Sequence, residues 1–363
     1  MKGDFLSGRA NFTMSSCRTP SNKGIWKESN MKKLTLLALT TATFLLAACG
    51  NTQSKQETKS EAHYPLTIEN VTKAEGGSKW TKKEETYQTK PKKVLANTRP
   101  AAELLLHLGL KDNIAGVGAT FGVADESVAK EFKSLKDLGN SYISKETALS
   151  VDPDLVYGRG GLFDNQDWGV GTVDSLNEMG IPTYVLESSI TGATFDSIYS
   201  DIENLGKIFN VEDKAKSFSK EIKARQAKLE AKVKDKKTQT FAYLHMSDPS
   251  QVVVYAAHDE AFFNDMFKMI KMDNVFKDQK GDVSEETLIQ TDPDVLIVGD
   301  WSSIPGSISG HEVIEALLKN PKLQSMKAIK NKKIYAVDYN YLFGYGYQSL
   351  TGLEQLVDQM QKK

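Results

Sequence analysis

Two stretches of the chain, 140 positions apart, read almost alike: SKETALSVDPDLVYG from Ser144 to Gly158 and SEETLIQTDPDVLIVG from Ser284 to Gly299. Each holds a helix-capping Ser, a Glu-Thr pair in the first turn, an Asp-Pro-Asp stop and then a short apolar run. Ser at an N-cap opens a helix, the residue before Pro leaves it, and Asp suits the turn, so each copy spells helix, turn and buried strand. Most of the shared letters need no other explanation. A matched Glu in each first turn also suits the positive end of a helix dipole. A unit of this kind occurring twice predicts two like α/β halves.

The surrounding pattern extends the unit. Expected strands are Lys93 to Asn97, Ile114 to Val117, Leu155 to Tyr157 and Thr183 to Leu186. Between and after them fall helices Pro100 to Leu108, opened by proline and closed by Gly109, Val173 to Met179 and Phe195 to Phe209. The second series predicts strands Thr240 to Leu244, Val252 to Tyr255, Val295 to Val298 and Ile334 to Val337, with helices Ala261 to Ile270, Val313 to Leu318 and Gln348 to Gln361. Alternating strands and helices imply parallel-type central sheets flanked by helices. Val211 to Lys237 has no Gly or Pro and places Ala215, Phe218, Ile222, Leu229 and Val233 at spacings near three and four. It predicts one long helix joining two lobes. Its apolar stripe is too thin and short for a sustained coiled coil.

The N-terminus carries an address. From Met31 the chain reads MKKLTLLALTTATFLLAAC, two lysines and an apolar run from Leu34 to Leu46, too short for a bilayer-spanning helix, before small residues and Cys49. This is a secretion signal over 31–48. Its Leu46-Ala47-Ala48-Cys49 ending resembles a bacterial lipobox, which implies cleavage before Cys49 and lipidation of its thiol. Residues 49–63 then read as a lipidated, polar, flexible tether. Residues 1–30 lack such logic and read as a misassigned start or a disordered extension. The other cysteine, Cys17, belongs to that extension, so a disulfide framework is not expected.

Beyond residue 48 stand 39 basic and 45 acidic residues, a balance that argues against a nucleic-acid partner. With 40% hydrophobic residues over 363 positions, the chain is long and apolar enough for two cores. It shows no G-x-S-x-G elbow, P-loop or H-E-x-x-H motif, so catalysis is not expected.

The lipobox, the Pro-Lys-Lys-Val lead-in to the first strand, the helix ELLLHLGL, the two DPD stretches and the lone helical connector together resemble a substrate-binding lipoprotein of an ABC importer, of the class serving iron-siderophores, haem and cobalamin. The resemblance spans roughly Tyr64 to Lys363. It implies a class III periplasmic-binding-protein-like fold, with ligand-binding lobes at 64–210 and 238–363 around a connecting helix at 211–237. It implies a monomer, anchored by lipid on the outer face of the cell membrane, that passes a small-molecule iron chelate to permease subunits and their ATPase. One exposed Glu per lobe meets the permease in that family, a role the motif match carries onto Glu146 and Glu286.

In the family the ligand lies between the lobes, and open parallel sheets place ligands beyond the C-terminal ends of their strands. The loops there begin at Asn97, Gly118 with Phe121, Gly158, His245, Tyr255, Asp300 and Tyr339. Only three arginines lie beyond residue 48, and two of them, Arg99 and Arg159, fall in these loops. A planar guanidinium grips oxygen-rich anions in two places, as a ferric siderophore requires. Either arginine could instead pair with a local carboxylate, such as Asp164 for Arg159. Phe121, Tyr255, Trp301, Tyr339 and Tyr341 are the expected aromatic lining. No resident cofactor is expected. The alternatives are haem, through an axial Tyr or His, cobalamin, a bare metal ion, or a surface adhesin or sensor. The metal reading is weakened by the scatter of the five histidines.

Overall fold

Each half of the chain winds strands and helices into one sheet, and the matching parts of the two halves are held by the same side-chain devices. The structure is a computed structural model that describes residues 63–304 and 306–362. It opens with a hairpin of β1 (Leu66–Thr72) and β2 (Thr81–Tyr87). The first winding follows with β3 (Val94–Ala96), α1 (Arg99–His107), β4 (Ile114–Val117), α2 (Ala129–Phe132), α3 (Lys145–Leu149), β5 (Leu155–Gly158), α4 (Val173–Asn177), β6 (Thr183–Val185) and α5 (Ser197–Ile208). Its strands lie parallel in the order β4-β3-β5-β6. All three residues of β3 are buried, as a strand covered on both faces requires.

Helix α6 (Glu212–Val233) leads to the second winding. Its buried residues are Ala215, Phe218, Ile222, Leu229 and Val233, the stripe read from the sequence. There follow β7 (Gln239–Leu244), β8 (Val254–Tyr255), α7 (Ala261–Met269), β9 (Met272–Asn274), α8 (Glu285–Thr291), β10 (Val295–Asp300), α9 (Gly310–Lys319), α10 (Lys327–Lys330), β11 (Ile334–Asp338), α11 (Tyr339–Phe343) and α12 (Gln348–Lys362). Strands β11, β10 and β7 run parallel, and β7 also pairs with β9 in parallel and β8 antiparallel.

The repeated motif does the same mechanical work twice. Ser144 Oγ accepts from Thr147 N at 3.3 Å and Ser284 Oγ from Thr287 N at 3.1 Å, capping α3 and α8. Asp152, two residues past the Ser150 cap of α3, and Asp292, the C-cap of α8, both take the left-handed region, with φ of 49° and 48°. The second Asp of each DPD then pins the neighbouring strand. Asp154 accepts from Lys92 N at 2.8 Å and Lys93 N at 2.7 Å, just before β3, while Asp294 accepts from Thr240 N at 3.0 Å within β7. Carboxylates on backbone amides are strong, charge-assisted bonds that set strand register.

The halves share one apolar core, which runs from Leu104 and Leu105 of α1 through Phe218 and Ile222 of α6 to Leu350 and Leu353 of α12. Polar ties cross the same seam: Asn340 Nδ2 donates to Phe121 O at 2.7 Å, Gln348 Nε2 to Glu103 Oε2 at 3.0 Å, and Tyr347 OH to Asp125 Oδ2 at 2.6 Å. Arg225 of α6 pairs with Glu354 of α12 at 2.7 Å.

Two departures from the sequence reading bear on the site. The second sheet is mixed, because β8 is antiparallel and only two residues long where a four-residue strand was expected. The β1–β2 hairpin was not expected at all, since β2 reads TKKEETY and exposes most of its side chains. Its attachment is side-chain work. Buried Asn70 exchanges bonds of 2.8 and 2.9 Å with the Val185 peptide of β6, and Tyr87 OH donates to Thr183 O at 2.8 Å. Replacing Asp154 or Asp294 by Ala is expected to lower unfolding stability by roughly 1–3 kcal/mol each, read as a shift of the urea midpoint, because strand-end amides lose a charged acceptor. A midpoint that does not move would show that the strands hold register without the carboxylates.

Candidate functional site

Arg159 owes its position to the residues on either side of it. Strand β5 ends at Gly158, whose φ of 137° is open to glycine, and a Cβ there would collide with the Asn97 side-chain oxygen. The fully buried Asn97 amide accepts from Arg159 N at 2.8 Å and donates to Arg159 O at 3.1 Å, gripping both sides of one residue's backbone. Gly160 N donates to Ser189 Oγ at 2.7 Å. With the backbone held, the guanidinium enters a hollow between the two halves. Its Nη1 donates to Tyr142 OH at 3.0 Å, and Tyr345 lies under it with 4.9 Å from Cζ to the ring centre. Among the described residues no carboxylate lies within ion-pair distance of Arg159, since Asp164 pairs instead with Lys73 Nζ at 3.0 Å. Burial pushes the Tyr142 hydroxyl up to about 12 against the pull of the Arg159 charge, so it meets the guanidinium as a neutral group.

The second half supplies the facing wall. Trp301, after β10, stacks on Tyr339 with ring centres 4.3 Å apart, and His245, after β7, meets the indole edge-on at 5.1 Å. Burial lowers the His245 pKa, which favours a neutral ring beside the cationic guanidinium. Glu260 accepts from Tyr255 OH at 3.1 Å and from Tyr345 OH at 2.7 Å. Arg159, His245, Tyr255, Glu260, Tyr339 and Phe343 line a cavity of about 270 Å³. A second hollow of about 460 Å³ shares Arg159 and Glu260 with it. Such a site offers a charged fork, hydroxyl donors and aromatic faces, the means to hold an oxygen-rich anion with apolar parts. Among the described residues no group of three or more His, Cys, Asp or Glu converges as a metal would require.

The residues nominated from the sequence fall in different places. Arg159, Tyr255 and Tyr339 line the cavity, and Trp301 backs it through its stack on Tyr339. Phe121 stands behind it, with ring centres 5.7 Å from Tyr142 and 6.3 Å from Tyr339. Arg99 does not join Arg159. As the first residue of α1 it turns back, donating from Nε to Thr120 O at 2.8 Å and lying 4.1 Å over the Phe132 ring, and it lines a separate hollow with Thr120, Phe132 and Asp137. Tyr341 is also elsewhere, packed on Gly352 of α12. Glu146 and Glu286 are both exposed on the first turns of α3 and α8. Cys49 and the signal segment lie outside the described residues. Two site residues were not anticipated: Tyr142, two positions before the Ser144 cap, and Glu260, just before α7. Neither carries a periodic or motif signal, because only the tertiary fold brings them to Arg159.

The pattern of the periplasmic binding protein family matches residues 94–341. This chain belongs to that family. It is 24% identical over 329 residues to the uncharacterized ABC transporter substrate-binding lipoprotein YvrC of Bacillus subtilis (strain 168), covering 88% of this chain and 94% of the relative. It is 27% identical over 343 residues to the petrobactin-binding protein YclQ of the same strain, covering 92% of this chain and all of the relative. A crystal structure of a periplasmic binding protein from Veillonella parvula superimposes with a TM-score of 0.71 at 23% identity, over 82% of this chain and 99% of that one. The fold is that of class III periplasmic binding proteins. Members of the family bind solutes for ABC transporters and carry out no chemistry on them.

Beneath the site, buried Asp201 accepts from Tyr184 OH at 3.0 Å, Glu187 N at 2.7 Å and Ser188 N at 3.0 Å. It props the 187–189 turn, from which Ser188 Oγ reaches Tyr345 O at 2.6 Å and Ser189 holds Gly160. Burial pushes the Asp201 carboxyl up to about 7. Between the unfolded carboxylate range near pH 4 and about pH 7, the folded state therefore holds the extra proton, so this group's contribution to stability falls as pH rises through that window. Urea midpoints of the wild type should decline from pH 4 to 7 relative to those of Asp201→Asn. Parallel curves would show that Asp201 titrates as it does in the unfolded chain.

Proposed function

We propose that the protein captures a ferric siderophore complex between its two halves and delivers it to an ABC permease. Residues 64–210 and 238–363 serve as the ligand-binding lobes, with the 211–237 connector as a stiff link. The observation that carries this reading is Arg159, a guanidinium held at a strand end, walled by tyrosines and lacking a carboxylate partner among the described residues. A charge desolvated in this way is strongly favoured when an anionic ligand arrives. Chelates of ferric iron built from catecholate, carboxylate or hydroxamate oxygens present that anion, and the aromatic wall suits their organic frame. A relative of similar length is named for binding petrobactin.

Delivery needs a docking face. Glu146 and Glu286 sit at equivalent positions of the repeated motif, each exposed beside a serine cap, so one carboxylate per lobe faces a two-fold permease. Anchoring rests on Cys49, whose lipobox context and the lipoprotein name of one relative support acylation and an outer-face location.

Replacing Arg159 by Ala is expected to weaken binding of a ferric siderophore by about 2–5 kcal/mol in a calorimetric titration, the usual cost of truncating a desolvated charged partner. Unchanged affinity would point to a neutral ligand. Reversing both glutamates, Glu146→Lys with Glu286→Lys, is expected to abolish iron uptake by cells while the purified protein binds ligand as before. Normal uptake by that double variant would remove the docking assignment. Cys49→Ser should release the protein from membranes and end its labelling by radioactive palmitate, and a membrane-bound, labelled variant would contradict the anchor.

A further inference from the structure

The hollow on the far side of Arg159 is walled by the β1–β2 hairpin, and its chemistry differs from that of the aromatic cavity. The turn between the strands, residues 73–80, reaches the loop that follows Arg159. Lys73 Nζ forms a buried ion pair with Asp164 Oδ2 at 3.0 Å, and the same carboxylate oxygen accepts from Gly76 N at 3.1 Å. A Cβ on Gly160 would stand 3.0 Å from Trp80 Cζ2, so the indole edge lies directly on the residue beside Arg159. Trp168 lines the same hollow with 45% of its surface exposed, which is unusual for the largest apolar side chain. Asp259 and Glu260 close the opposite side. Lys73 and Asp164 neutralise each other, and Lys73 Nζ already stands 5.8 Å over the Trp80 ring, so the groups that can meet a cation are Asp259, the tyrosine-bound Glu260 carboxylate and the half-exposed Trp168 indole.

We infer that this hairpin-walled hollow is a second ligand compartment that takes a cationic, amine-bearing arm of the chelate whose anionic iron centre sits on Arg159. The inference rests on the ferric-chelate reading above and adds the shape and charge of the ligand. Indole faces attract ammonium groups through the ring quadrupole, and carboxylates attract the same charge. The compartment, about 460 Å³, shares Arg159 and Glu260 as its border with the aromatic cavity, so an arm entering it need not leave the chelate's head. The wall is preformed, because Asn70, Tyr87 and the Lys73–Asp164 pair fix the hairpin to the sheet. Trp168 is the specificity-determining residue.

Three synthetic probes test this by calorimetry: a ferric tris-catecholate, the same chelate with one aminoalkyl arm, and the same chelate with a neutral hydroxyalkyl arm of equal length. The full mature chain should prefer the amine-armed chelate over the neutral-armed one by roughly tenfold, the scale of a desolvated cation–π contact. Trp168→Ala should bring that preference near unity, Trp168→Phe should keep part of it, and Glu260→Gln should reduce it. Equal affinity for amine and neutral arms overturns the inference, as does a preference unmoved by Trp168→Ala. In either case loss of bare-chelate binding in Arg159→Ala leaves the ferric-chelate reading intact. Failure of all three probes to bind overturns the inference, and the ferric-chelate reading falls with it if ferric hydroxamate and ferric citrate complexes fail to bind as well.

Discussion

The grip of one buried amide on one residue's backbone is the constraint on which the site depends. Asn97 spends its oxygen and nitrogen on the N–H and C=O of Arg159, across the gap between two adjacent strand ends. That contact requires Gly158, since any side chain there would displace the amide. It also decides where the guanidinium goes. An arginine at the tip of a free loop would find a surface carboxylate or water. Held as it is, Arg159 finds a tyrosine hydroxyl and a tyrosine face, which stabilise a charge without neutralising it.

The surrounding architecture keeps this arrangement preformed. The apolar core passes through the seam, and α6 and α12 lie along it joined by the Arg225–Glu354 pair. A Gln348–Glu103 bond and a Tyr347–Asp125 bond cross the same seam. These ties predict that ligand binding changes the separation of the halves only modestly. The hairpin adds a third wall to a two-walled plan. Because it is tied by Asn70 and Tyr87 to the edge strand β6, it belongs to the rigid part of the site.

Much of this plan was legible in the letters. The repeated stretch names two serine caps, two Asp turns and two buried strands, and the apolar spacing of α6 picks out its five buried residues. These are local signals, and local physics reads them correctly. Loops at strand ends were also located well, which is why Arg159, Tyr255, Tyr339 and Trp301 were found. What strand ends do not encode is where a side chain points. Arg99 begins a helix and folds back on the carbonyl of Thr120, and Tyr341, two positions from Tyr339 on a short helix, faces α12 rather than the cavity. Tyr142 and Glu260 reach the site only through tertiary packing. The hairpin escaped because β2 is mostly charged and exposed, and buries little beyond Tyr87.

Arg159 is the group proposed to receive the anionic face of a ferric chelate. A crystal structure of the mature protein with a ferric siderophore tests it most directly. Chelate oxygens are expected at hydrogen-bonding distance, about 2.7–2.9 Å, from the Arg159 guanidinium, with the organic frame against Tyr339 and Tyr255. A chelate bound elsewhere, with Arg159 still among its tyrosines, would overturn this assignment.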